Sequence, residues 1–233
     1  MIKSSGAGRH AIMVLSFLLL SGGLSWVFAN ESNEPPTLII PRQADKTWTQ
    51  EHESNNMAVY SRAFANNVMR EVLAESIIEA PPWQVLSALL DYPAYPAFMP
   101  YVVKNEIEKT HKNKTWLFQQ LGLPWPISDR YYTLVMSHRG DPHHENSYEI
   151  RWDLSDEESA QQGKGLQMML NRGGWRLVSA NAGQSTKILY YLNADPGGAL
   201  PNWINNMANT VAVPKVIEAV RERAQVTSYP PPP

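Results

Sequence analysis

The chemically versatile side chains of this sequence cluster around Asp129-Arg130-Tyr131-Tyr132 and in the stretch that follows. Arg130 could clasp a phosphate or carboxylate through two parallel N–H bonds, or could cap backbone carbonyls or pair with Asp129. His138 has no Ser or Cys nucleophile motif beside it, and no G-x-S-x-G occurs. Asp141-Pro-His143-His144-Glu145 collects metal-ligand types, but adjacent residues point apart and the stretch reads as a loop, so no metal is expected. Gly163-Lys-Gly165 lacks the spacing of a phosphate loop, and Asp156-Glu157-Glu158 reads as a solvated loop. Asn105 and the hydroxyls of Tyr132, Tyr148 and Tyr190 are the remaining polar handles in otherwise apolar runs. Once buried, they must satisfy one another or meet something bound.

These residues lie on strands. Residues 146–154 alternate most cleanly: Tyr148, Ile150, Trp152 and Leu154 share one face, and Ser147, Glu149, Arg151 and Asp153 the other. Strands are also expected at 57–64, 68–78, 101–109, 114–122, 129–139, 173–179 and 185–194, bounded by Asn, Gly, Pro or Asp. Turns are expected at Asn66-Asn67 and His111-Lys-Asn113. Pro81-Pro82-Trp83 opens a helix to Leu90, with Val85, Leu86, Leu89 and Leu90 on its apolar face. The longest helix runs from Leu200 to about Arg223, its stripe made by Leu200, Trp203, Met207, Val211, Ile217 and Val220, with a kink at Pro214. A long antiparallel sheet with a terminal helix is α+β, and a strongly curved sheet can close around that helix and leave a hollow. No βαβ crevice is present to take a nucleotide.

Composition bounds the partners. The chain has 233 residues, 43% hydrophobic and 18% charged, with 20 Lys+Arg against 22 Asp+Glu. That balance excludes nucleic acid as a partner, because such binding rests on a basic surplus. The absence of cysteine removes disulfides, thiol nucleophiles, zinc–thiolate sites and iron–sulfur clusters. No cofactor is implied. Lys3 and Arg9, the apolar run 11–20 and Val27-Phe28-Ala29 read as a signal peptide over 1–29, cleaved after Ala29, for an exported and periplasmic protein. An uncleaved anchor is the other reading of the same run. Residues 30–46 read as a linker in which Leu38-Ile39-Ile40 could dock as an edge strand, 47–225 as one domain, and 226–233 as a proline-rich tail. The tail is either a solvated terminus or a ligand for an aromatic groove. A monomer is expected.

Four stretches, in order, resemble the START (steroidogenic-acute-regulatory-related lipid transfer) domain family. Leu123-Pro-Trp-Pro-Ile-Ser-Asp-Arg130 is similar to its proline-rich turn and strand-opening arginine. Residues 75–92, with Pro81-Pro82-Trp83 and Asp91, resemble its strand, helix and aspartate. Arg172-Gly-Gly-Trp175-Arg-Leu177 resembles its penultimate strand, and residues 190–206 its last strand, turn and helix start. The resemblance implies a helix-grip fold: a curved antiparallel sheet wrapped around a long C-terminal helix, with an apolar lipid tunnel between them. Tyr131 stands where the family usually has Asp. Leu117 and Met136 stand where some members pair a carboxylate with an arginine, so the charged anchor is missing.

The family's parity places Arg130, Tyr132, Leu134 and Met136 in the tunnel. Alternation adds Val103, Asn105 and Ile107; Tyr148, Ile150 and Trp152; and Tyr190, which shares a face with Ile188 and Leu192. Leu117, Met168, Leu170, Trp203, Met207 and Val211 complete the candidate lining. The expected function is non-catalytic binding and transfer of a lipid or other apolar small molecule, with transient membrane contact and the 155–171 loop or the terminal helix swinging aside. The alternative is a cyclase or aromatase on the same fold, with Arg130, Tyr132 and His138 as the acid/base set.

Overall fold

A computed structural model describes residues 38–54, 56–63, 70–140, 146–198 and 211–229. Apolar residues at every second position oblige most of the strands to put one face against a core, and the described strands join a single sheet. In chain order they are β1 (Thr49–Ser54), β2 (Met57–Ala63), β3 (Arg70–Ile78), β4 (Val102–His111), β5 (Lys114–Leu121), β6 (Arg130–Gly140), β7 (Tyr148–Leu154), β8 (Leu166–Gln167), β9 (Leu170–Ala180) and β10 (Ser185–Asp195). Their order across the sheet is β1-β2-β3-β10-β9-β7-β6-β5-β4, so the sheet is open at β1 and β4. All pairings on that path are antiparallel, and β8 adds a short parallel pairing to Arg130 and Tyr131 of β6. Lys112 and Asn113 make the β4–β5 turn where the sequence marks one, whereas Asn66-Asn67 lies outside the described residues.

Helix α1 (Pro82–Leu90), a 3₁₀ turn at Tyr92–Ala94, α2 (Tyr95–Phe98) and α3 (Val213–Val226) carry the rest of the core. Val85 and Leu89 of α1 and Ile217 and Val220 of α3 pack with Val59, Ile150, Leu177 and Ile188 on the inner sheet face. Arg223 Nη2 donates to Asp91 Oδ2 at 2.7 Å, and Gln84 Nε2 donates to Ala224 O at 2.5 Å, which fastens α3 along α1. Val211 and Ala212 take a π conformation and α3 begins at Val213, so Pro214 falls in its first turn, where the missing N–H costs no intrahelical bond.

The outer face is also built upon. Ile40 is buried with Trp48, Leu73, Leu189 and Tyr191, so residues 38–40 lie across the sheet and do not extend its edge. Gly174 makes this docking fit, because a Cβ there would overlap the Ile40 side chain. Its neighbour Gly173 does the same on the inner face, where a Cβ would overlap the Trp152 indole. Strand β1 lacks apolar alternation; it is a polar edge strand with both faces toward water.

Alternation puts Glu149 on the polar face of β7, yet it is buried. Arg151 Nε donates to Glu149 Oε1, while the Nη2 atoms of Arg139 and Arg176 stand 3.6 Å from Oε2. One carboxylate therefore offsets charge from three strands. Glu149→Gln should lower unfolding stability by about 3 kcal/mol, since it leaves buried guanidinium charge uncompensated. Urea denaturation measures this, and a loss below 0.5 kcal/mol would show that the cluster is merely solvated.

Candidate functional site

Beyond the solid packing under α1, the inner face and the helices separate and enclose a cavity of about 280 Å³. Leu117 and Leu121 of β5, Leu134 and Met136 of β6, Trp152 of β7, Trp175 of β9 and Leu192 of β10 form its sheet wall. Met99 and Val102 close it after α2, and Val213 and Val216 of α3 close it from the helix side. Leu123, Pro124 and Ile127 from the β5–β6 loop, with Met168 and Pro196, form its rim. The Tyr190 ring packs at a tilt against Trp175, 4.5 Å between centroids, and Trp152, at 5.9 Å, so the three rings form one aromatic patch of the wall.

Arg130 is buried at the rim and uses four of its five N–H donors on backbone carbonyls. Nε donates to Pro196 O at 2.6 Å and Nη2 to Gly197 O at 3.0 Å; Nη1 donates to Ser128 O and, at 3.2 Å, to Asp129 O. Of its two sequence readings, the carbonyl-capping one matches this geometry. Asp129 turns away from the guanidinium and accepts from Gln120 Nε2 at 3.2 Å and Leu123 N at 3.3 Å.

A neutral polar chain crosses the wall. Tyr132 OH donates to Gln119 Oε1 at 2.6 Å, Gln119 Nε2 donates to Asn105 Oδ1 at 3.0 Å, and Asn105 Nδ2 donates to Tyr92 O at 2.6 Å. Across the cavity Trp152 Nε1 donates to Asn171 Oδ1 at 2.9 Å. Tyr95 OH donates to Leu89 O at 2.6 Å. Burial raises the phenol pKa of Tyr92 to about 12 and pushes those of Tyr95, Tyr132 and Tyr190 well above the ordinary value.

Eight expected residues line the cavity: Leu117, Arg130, Tyr132, Leu134, Met136, Trp152, Met168 and Tyr190. Others are corrected. Val103 is 55% exposed, because a bulge between Val102 and Lys104 hands the inward position to Val102. Ile107 pairs with Leu117 but sits on the edge strand and is 48% exposed. Asn105 is buried beside Gln119, its partner on the neighbouring strand, and does not line the cavity. Tyr148 and Ile150 face inward but belong to the packed end of the core. Leu170 is on the opposite parity from Asn171, Gly173 and Trp175, so Asn171 takes its place. Val211 is 38% exposed, and Ala212, Val213 and Val216 are the lining residues of this segment. Trp203, Met207 and Asp141–Glu145 lie outside the described residues. His138 is at the exposed end of β6, away from Tyr132 and Arg130. Gln119 and Trp175 were accessible to sequence reading, one strand step from Leu117 and Gly173.

Residues 78–221 match the family model for polyketide cyclase / dehydrase and lipid transport proteins. The chain belongs to that family. Its fold is the START helix-grip, shared with a STAR-related lipid transfer protein from Xanthomonas axonopodis. That match is 21% identical with a TM-score of 0.68, covering 77% of this chain and 99% of that one. Human STARD10 matches at 16% identity and TM-score 0.68 over 78% of this chain and 75% of its own. Human StAR-related lipid transfer protein 5 matches at 12% identity and TM-score 0.70 over 79% and 89%. No curated protein matches the chain.

The buried phenols of this START-type core give it an alkaline limit. Below the ordinary tyrosine value of 10 they add no pH dependence; above it the unfolded chain ionises while the folded one keeps its protons. Stability should therefore fall between pH 10 and 12 by about 1.4 kcal/mol per pH unit for each such tyrosine. Urea melts across that range, with absorbance at 295 nm following ionisation, check this; Tyr132→Phe and Tyr190→Phe should each flatten the slope.

Proposed function

We propose that the protein is a non-catalytic carrier that takes one hydrophobic lipid into this cavity and exchanges it at a membrane. The carrying observation is that the rim loops divide their residues between the cavity and water. Pro124 and Ile127 line the cavity while Trp125 between them is 92% exposed, and Met168 lines it while Met169 is 72% exposed. Exposed apolar residues around an apolar opening fit a lipid surface, where an indole settles at the headgroup level. A lipid would pass between these loops. Residues 155–161 are tied to the outer sheet face, with Ser159 Oγ donating to Glu108 Oε1 at 2.5 Å and Lys104 Nζ donating to Gln161 Oε1 at 2.9 Å. Leu166–Gln167 are paired to Arg130 and Tyr131, and Met168 N donates to Tyr131 O at 3.1 Å and Met169 N to Asp195 O at 3.0 Å, so opening the expected 155–171 door at the rim means breaking these few backbone bonds.

Burying a few hundred Å² of ligand surface supplies on the order of 5–10 kcal/mol before entropic costs, enough for micromolar binding. A carrier also accounts for Arg130 being spent on carbonyls and for His138 standing apart from it, where a cyclase would gather both around the substrate. We further propose that residues 1–29 direct export and that the mature protein works as a monomer in the periplasm.

Delipidated protein incubated with a mixed lipid extract should return one lipid per chain by native mass spectrometry, and no bound lipid from any class would overturn the carrier. Trp125→Ser with Met169→Ser should slow vesicle-to-vesicle transfer about tenfold while leaving bound stoichiometry unchanged.

A further inference from the structure

Burial requires polar atoms to be paired, and the cavity contains some that are not. Tyr190 lines it, is buried, and its hydroxyl makes no hydrogen bond among the described residues. Asn171 also lines it; its carbonyl is taken by Trp152, and its amide faces the Met168 thioether at 3.8 Å and the Tyr132 oxygen. A sulfur at that distance is a weak acceptor and leaves N–H capacity over. Tyr132, on the same wall, has given its proton to Gln119, and its oxygen, which the Asn171 amide faces, keeps a second lone pair. One donor–acceptor, one donor and one acceptor thus meet on a surface that is otherwise hydrocarbon.

Charge is absent from this group. Arg130 is the only ionisable Lys, Arg, His, Asp or Glu among the described lining residues, and its guanidinium is committed to backbone carbonyls at the rim. Residues 199–210 contribute none either, for their sequence contains no ionisable side chain. A carboxylate or phosphate drawn to Tyr190 would give up its hydration and receive only neutral donors.

We infer that the lipid carries an uncharged hydroxyl or carbonyl as its buried polar group, seated between the Tyr190 hydroxyl and the Asn171 amide. A carbonyl oxygen accepts from both; an alcohol accepts from Asn171 and donates to Tyr190 or Tyr132. This rests on the carrier reading and narrows its cargo to neutral-headed lipids, excluding fatty acids and phospholipids whose headgroup would have to enter.

Matched probes separate the two ideas. Delipidated protein is titrated at pH 7.4 with 1-dodecanol against dodecanoate, and with cholesterol against cholesteryl sulfate, delivered from cyclodextrin. The indoles of Trp152 and Trp175 in the wall report binding by fluorescence. At least one alcohol should bind tenfold or more tightly than its anion. Tyr190→Phe, which keeps the ring and removes an unpaired hydroxyl, should weaken that alcohol at least fivefold and leave dodecane binding within twofold. An anion that binds as tightly as its alcohol, or an alcohol indifferent to Tyr190→Phe, overturns the inference while lipid capture stands. If neither the alcohols, the anions nor dodecane binds, the carrier reading falls and takes the inference with it.

Discussion

A buried guanidinium must find acceptors, and Arg130 finds them in two segments far apart in the chain. Two of its carbonyls belong to the residues that lead into β6 and two to the turn that follows β10. The β5–β6 loop and the chain leaving the last strand are therefore pinned at one point, on the rim of the cavity. Charge-assisted bonds to carbonyls are stronger than neutral ones, and leaving such a group unpaired in the interior is costly. The cavity mouth has a definite shape because of this demand. The same side chain that would be the natural partner for an anionic lipid is consumed in building the opening.

The wall behind that rim follows a related economy. Tyr132, Gln119, Asn105 and the Tyr92 carbonyl form a line of neutral groups, each paired with the next. Such a chain allows polar atoms in an apolar wall without a buried charge. The positions that the START resemblance marks for a charged pair hold Leu117 and Met136, and both line the cavity. Aromatic rings do the spacing. Trp152, Trp175 and Tyr190 lean on one another and on the glycine gap at Gly173, so the wall is supported from within itself.

Much of this was legible from residue order. Strand β7 was readable because its inner face meets the core, so alternation was imposed on it, and the Pro81-Pro82 opening of α1 was readable because proline suits a first helical turn. What escaped did so for local reasons. β1 offers no apolar face to detect. Val103, at the bulge, and Val211, just ahead of α3, fall off the inner face one at a time, while Asn105 beyond the first and Ile217 and Val220 beyond the second are buried as expected. Parity also cannot separate Ile150 from Trp152: both point inward, but one meets packed core and the other open space. That difference lies in where α1 and α3 rest, a property of the assembled layers. Glu149 was placed on the correct face, but its burial there was not legible, because three arginines from three strands converge on it only after folding.

Gly173 and Gly174 carry a mechanical consequence. With no side chain on either surface, the sheet thins there to a bare ribbon of main chain, with Ile40 seated against one side and the Trp152 indole against the other. Pressure on the exterior has almost nothing to cross before it reaches the floor of the chamber. The stretch leading into the first strand is thus more than a tether: it acts as a backing plate, and how firmly it sits sets how stiff that floor is.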